Sequence, residues 1–189
     1  MCHGFVIPLV FCLTTHKTTG HYRQVIKHIK DEVRRATHRS LRPSHMVLDF
    51  EQGLMTAVET EMPTCRLAGC YFHFVQSLWR RIQEVGLTTL YRHHERLRQF
   101  IRRVMAIGFL PVLLVRQNFV MLRRCRRTRR LIRRFPALDD WLQYVETAYI
   151  NSNTLPPLVW NVYERDMSSR TNNNVEGTYT CNDRFQVLS

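Results

Sequence analysis

A chain of 189 residues with 44% hydrophobic composition is the size of one domain and can fill a real core, so it is expected to fold. Lys and Arg number 28 against 15 Asp and Glu, a net charge of +13, which points to a polyanionic partner such as nucleic acid or an anionic membrane surface. No stretch reaches the roughly 18 to 20 apolar residues of a transmembrane helix, so the chain reads as soluble.

Phe5 to Thr14 (FVIPLVFCLT) is a β-rich apolar run closed by the polar stretch His16 to Gly20, with Pro8 arguing for an edge or a bulge. The same run is long enough for a signal peptide, but Met1 to Thr15 lacks a basic start and a small-residue cleavage site. Six cysteines without an export signal then suggest reduced thiols, with metal binding open, rather than a disulfide framework. Tyr22, Val25, Ile26, Ile29, Val33 and Ala36 recur at spacings of three and four, which predicts an amphipathic helix. His45 to Phe50 reads as a short buried strand, Glu51 to Glu61 as a helix stopped by Pro63, and Cys65 to Phe72 as a third strand.

From Phe74 the period becomes helical. Phe74, Leu78, Ile82 and Val85 share a face, and Gly86 stands where a C-cap belongs. Two or three more helices are expected, one lined by Leu97, Ile101 and Val104, another running through Val115, Phe119, Leu122, Cys125 and Ile132. Strand, helix, strand, helix, strand and then a helical block is an α/β beginning followed by an α-helical insertion.

Charge is concentrated in that block. From Arg96 to Leu138 there are thirteen arginines and no acid. Arg123, Arg124, Arg126, Arg127, Arg129, Arg130, Arg133 and Arg134 surround the apolar stripe of Leu122, Cys125 and Ile132, and arginine suits phosphate through its rigid paired donors. The other readings are a solvated helix face or a nuclear-import patch; the lack of a neighbouring acid in sequence argues against the first. Phosphate contact carries no sequence information, so nonspecific DNA affinity is what this stretch predicts.

Four further residues could carry chemistry. Asp49 is expected at the end of a buried strand, where a charge is costly unless paired or bound to a metal, yet a carboxylate is also favoured at the start of the following helix. Glu176 falls three residues after Asn173, the spacing of a capping box. Cys70 and His73 have the spacing of half a zinc site, or are a buried strand-end cysteine and a capping or core histidine.

Val6-Ile-Pro-Leu-Val10, Lys17 to Tyr22, Val47-Leu-Asp-Phe-Glu51, Gly69-Cys-Tyr-Phe-His-Phe-Val-Gln-Ser-Leu-Trp79 and Arg170-Thr-Asn-Asn-Asn-Val-Glu-Gly177 resemble, in order, the successive blocks of the Mutator-like element (MULE) transposase domain. The resemblance extends from about Cys2 to Asn182. It implies an RNase H-like DDE fold, here a truncated core over residues 1–86, an arginine-rich helical insertion over 87–165 and a final helix over 166–189. It implies DNA as partner, a nuclear location and Mg²⁺ or Mn²⁺ held by three acids. Asp49 corresponds to the second acid, Glu176 to the third, and Cys70 and His73 to the family's Cys-x-x-His motif. In the family the first Asp stands on the strand before the hairpin whose second arm resembles Phe5 to Leu13. This chain starts too late to include that strand, and Asp31 and Glu32, the acids upstream of Asp49, lie in the expected amphipathic helix. The resemblance therefore implies a transposase fragment without cleavage activity; a domesticated, non-enzymatic nucleic-acid-binding protein and a nuclease completed by a second chain are its rivals. A homo-oligomer is compatible with all three.

Overall fold

A computed structural model describes residues 9–165, which divide into two compact units, one ending at Cys70 and the other beginning at Tyr71. The described residues are mostly helical with one small sheet. Val6 to Pro8, Glu176 and the block from Arg170 to Gly177 lie outside them.

In the first unit the apolar periodicity that starts at Tyr22 becomes helix α1 (Thr19–Thr37). The Thr18 hydroxyl caps it by accepting from the His21 N–H, and His38 ends it in the left-handed region at φ 55°. Strand β1 (His45–Leu48) follows, then helix α2 (Gln52–Glu61), then strand β2 (Arg66–Gly69). The strands pair in parallel, His45 opposite Arg66 through Leu48 opposite Gly69. Two parallel strands cannot be joined by a tight hairpin, and α2 is the crossover that lets them lie side by side. Ile26 of α1 packs with Ala57, Val58 and Met62, and Met46, Leu48 and Leu67 of the sheet close over this cluster. Arg23 and Lys27 of α1 reach the Glu61 carboxylate at 2.8 and 3.7 Å, and Lys30 donates to its carbonyl.

Three expectations for this unit change. Residues 9–14 form no strand, and Leu9, Phe11 and Leu13 are 88%, 72% and 103% exposed. A β-rich run needs a neighbouring strand for its backbone groups, and the two-stranded sheet of the described residues does not pair with it. β2 is shorter than the expected Cys65 to Phe72, because Tyr71 already turns into helix. β1 is half-buried rather than buried, since α1 and α2 cover one face of so small a sheet.

The second unit opens with helix α3 (Tyr71–Glu84). Gly86, at φ 74°, closes it: its N–H bonds the Gln83 carbonyl, and the N–H of buried Leu87 bonds that of Ile82. This paired closure needs a left-handed residue at that point, which glycine adopts without a Cβ penalty. Helices α4 (Thr88–His93), α5 (Glu95–Met105), α6 (Val112–Arg124), α7 (Arg126–Arg134), α8 (Ala137–Val145) and α9 (Pro157–Trp160) follow, with a 3-10 turn at Ala106–Phe109 and a π-type turn at Glu146–Ile150. Among the described residues, six helices after α3 replace the expected two or three. Short caps and breaks at His94, Pro111, Cys125 and Pro136 divide what the apolar periodicity alone would join.

The core of this unit is aromatic. The Phe74 and Trp160 rings stack at 4.5 Å, and the Tyr149 ring meets Phe74 edge-on at 4.9 Å. The Trp141 indole donates to the Leu78 carbonyl at 3.0 Å, so the largest buried side chains bring their polar atoms to partners. The Tyr149 hydroxyl pairs with Ser77, and burial pushes its ionisation well above the ordinary tyrosine range.

Candidate nucleic-acid interface and carboxylate edge

The arginine run is two helices. Cys125 has extended backbone (φ −65°, ψ 150°), which ends α6 and begins α7, and its sulfur accepts from the Thr128 N–H. The same sulfur lies 3.1 Å from the hydroxyl of fully buried Thr128. Cys125 therefore serves as the N-cap of α7, a position that favours a small side chain able to accept from the first turn. Burial of the thiol pushes its ionisation up, but the Thr128 hydroxyl, the Thr128 and Arg127 N–H groups and the Arg127 charge outweigh it and hold the thiol below its ordinary value.

Placing residues at about 100° intervals puts Thr128, Leu131 and Ile132 on one side of α7. These three are buried or half-buried, and all six arginines of the helix are exposed. Arg126, Arg129, Arg130 and Arg133 fall within an arc of about 100°, and Arg127 and Arg134 widen it to about 160°. No carboxylate stands on this helix, and its first turn has two arginines where a helix dipole favours acids. Among the described residues no ion pair engages the six arginines of α7, so an anion would stabilise its exposed face. Arg134 lies over the Phe135 ring with its guanidinium carbon 5.4 Å from the centroid.

Arg123 departs from the expectation that no acid pairs with these arginines. It donates to Asp139 at 3.0 Å and pairs with Glu146, both far along the chain. Together the three brace α6 against α8 and the π-type turn. Arg123 is therefore a structural cation, and the candidate surface consists of Arg124 on α6 and the six arginines of α7. Phe119, Val120 and Ile132 line an open cleft of about 680 Å³ beside it, together with Arg124, Arg129 and the Asp139 and Glu146 carboxylates.

In the first unit, Asp49 follows β1 and Cys70 follows β2, and the Cys70 N–H bonds the Leu48 carbonyl at 2.8 Å. Asp49 is exposed, so the desolvation cost expected at a buried strand end is not incurred. Its position beyond the carboxyl ends of parallel strands is still the place where α/β sheets gather ligands. Cys70 is fully buried, and His73, in the first turn of α3, is half-buried.

Sequence reasoning missed what shapes this edge. The Phe50 ring lies against Gly69 so closely that an added Cβ would stand 2.2 Å from a ring carbon, which pins the turn after Asp49 to β2. Next to it, the Tyr22 hydroxyl donates to Glu51 at 2.6 Å. That hydrogen bond to the carboxylate, with burial and the carboxylate's charge, pushes the Tyr22 ionisation up to about 12. The gap of 29 residues between Tyr22 and Glu51 gave no local signal. Among the described residues no group of three or more His, Cys, Asp or Glu side chains could hold a metal ion, so these residues alone do not fit a two-metal centre. Among them Cys12, Cys65 and Cys125 are free thiols, and no helix is long and apolar enough to cross a membrane.

Residues 1–77 match the family model of the MULE transposase domain. The match takes in the described part of the first unit and the first turns of α3, and α4 to α9 lie beyond it. No curated protein and no solved structure matches the chain.

Proposed function

Taking as premise that residues 1–77 carry the MULE transposase domain, we propose that this chain is a DNA-binding transposase-family protein whose main phosphate contact is the exposed face of α7. The observation that carries this reading is the concentration of six exposed arginines, with no acid among them, on a nine-residue helix. Phosphate is the anion such a face suits: guanidinium groups donate two parallel hydrogen bonds to it and remain charged at any physiological pH.

The same premise supports an RNase H-like core with residues 87–165 as a helical insertion. The crossover β1, α2, β2 is the part of that core for which the described residues speak. On this reading Asp49 and Glu176 are two of the family's three metal-binding acids, and Mg²⁺ or Mn²⁺ is the ion. Asp31 and Glu32 are exposed on α1.

The binding reading is tested by titrating the full chain against labelled DNA over a range of salt. Replacing Arg126, Arg129, Arg130 and Arg133 by glutamine should weaken binding to every sequence alike and flatten the salt dependence, by about 0.9 in the slope of log K against log salt for each phosphate no longer neutralised. Unchanged affinity and slope in a folded variant would defeat it.

A further inference from the structure

A phosphate-binding surface can take a single strand, an RNA duplex or a DNA duplex, and the shape of α7 separates them. We propose that α7 is a groove-inserting element: it lays its arginine face in the major groove of duplex DNA, where Arg126, Arg130 and Arg133 meet guanine edges. This rests on the reading of α7 as the DNA contact.

Four observations support it. The face is convex and helical, and a helix with its side chains is about 10 to 12 Å across, the width of the B-form major groove at about 12 Å. Nine residues extend about 13.5 Å, enough to follow the groove over about four base pairs. The arginines are graded around the helix. Arg126, Arg130 and Arg133 lie at the centre of the exposed arc, with Arg129 on one flank and Arg127 and Arg134 on the other. Central side chains would reach base edges while the flanks reach the two phosphate strands. Finally, no aromatic ring stands on the arginine face. A single-strand site relies on rings on which bases stack, and Phe135, just past the helix, already has Arg134 over its face and His94 against it at 4.9 Å.

The chemistry at the centre follows from the donors. An arginine offers two parallel N–H groups, and guanine presents O6 and N7 as paired acceptors in the major groove, the commonest specific contact of this kind. An RNA duplex hides those atoms in a deep and narrow groove that side chains do not read. Asp139 and Glu146 are held by Arg123 and line the same cleft as Arg124 and Arg129, beside α7 rather than on it. They would repel a phosphate strand that strayed toward α8 and so favour the outer face of α7.

The experiment compares four ligands of equal length at one salt concentration, each titrated by fluorescence anisotropy with the full chain. They are a guanine-containing DNA duplex, its single strand, the matching RNA duplex, and the DNA duplex with every guanine replaced by 7-deazaguanine. The unmodified DNA duplex should bind tightest. Loss of N7 should weaken binding about five- to tenfold, the lower end of what one arginine–guanine pair contributes. Arg126→Lys, Arg130→Lys and Arg133→Lys together keep the charge but not the rigid paired donors, so this triple variant should shrink the 7-deazaguanine effect and leave the salt slope in place. Equal affinity for all four ligands overturns groove insertion while leaving the phosphate reading standing. Tighter binding to the single strand or to the RNA duplex overturns it as well. Failure of the unmodified, folded chain to bind any of them overturns both readings.

Discussion

Gly69 and Arg123 show how much a single position can decide. A methyl group at residue 69 would occupy the space of the Phe50 ring, and that ring holds the turn that contains Asp49. Gly69→Ala is expected to cost about 1 to 3 kcal/mol in denaturant unfolding, the usual range for overpacking, and Phe50→Ala in the same chain should recover part of it by clearing the space. An unchanged unfolding midpoint in Gly69→Ala would show that the packing there is loose. Arg123 is the opposite case, a cation whose partners are intramolecular. Its side chain is 23% exposed and Glu146 is 27% exposed, so solvent screens the pairs only in part. Arg123→Gln should lower stability by about 1 kcal/mol, yet leave the salt slope of DNA binding unchanged, unlike the same change at Arg130. A fall in that slope would return Arg123 to the binding surface.

At the scale of elements, α1 and α2 are joined by an apolar seam and by one carboxylate. The hydrogen bond from Arg23, followed by the nearby charge of Lys27 and Lys30, lowers the ionisation of Glu61 below the ordinary carboxylate value despite its partial burial. A group whose folded-state value is depressed contributes stability that is present above its unfolded value and is lost as pH falls through the folded one. Unfolding midpoints followed downward from neutral pH should therefore decline through the carboxylate range, and Glu61→Gln should remove part of that decline. Parallel curves for the two proteins would mean that the α1–α2 clamp contributes nothing. The break at Cys125 is an element-scale effect too. By ending α6 and restarting α7, it gives the arginines of α7 a helix axis of their own, with a buried side made of Thr128, Leu131 and Ile132.

At the scale of the whole molecule, the net charge of +13 equals the thirteen arginines between Arg96 and Leu138, and six of them stand on α7. A field so localised attracts polyanions at long range and weakens steeply with salt. The proposed reading makes Asp49 a metal ligand. In a supercoiled-plasmid assay with Mg²⁺ or Mn²⁺, any nicking by the chain should therefore fall by at least about 10² in Asp49→Ala, with both proteins shown to be folded by circular dichroism, since losing a group that stabilises developing charge commonly costs about 10² to 10³ in rate. Equal nicking by the two proteins would overturn the assignment of Asp49.

The sequence by itself determined the MULE resemblance, the amphipathic character of α1, the crossover from β1 through α2 to β2, the closure at Gly86 and the position of the charge. These are written locally, as apolar spacing, helix stops and runs of like residues, and need no knowledge of what comes to lie beside them. Tertiary structure decided the rest. Phe5 to Thr14 has the composition of a strand, yet its described part forms none, because strand formation depends on a partner edge. Asp49 stands beyond a strand end as expected, yet in solvent, because burial depends on which layers cover the sheet. The arginine stretch was visible as charge, but the split at Cys125 and the capture of Arg123 by Asp139 and Glu146 were not. Both depend on residues that meet only when the chain folds: Thr128 at the sulfur of Cys125 turns an apolar-looking position into a cap, and two carboxylates 16 and 23 residues further on turn one arginine of eight into a brace.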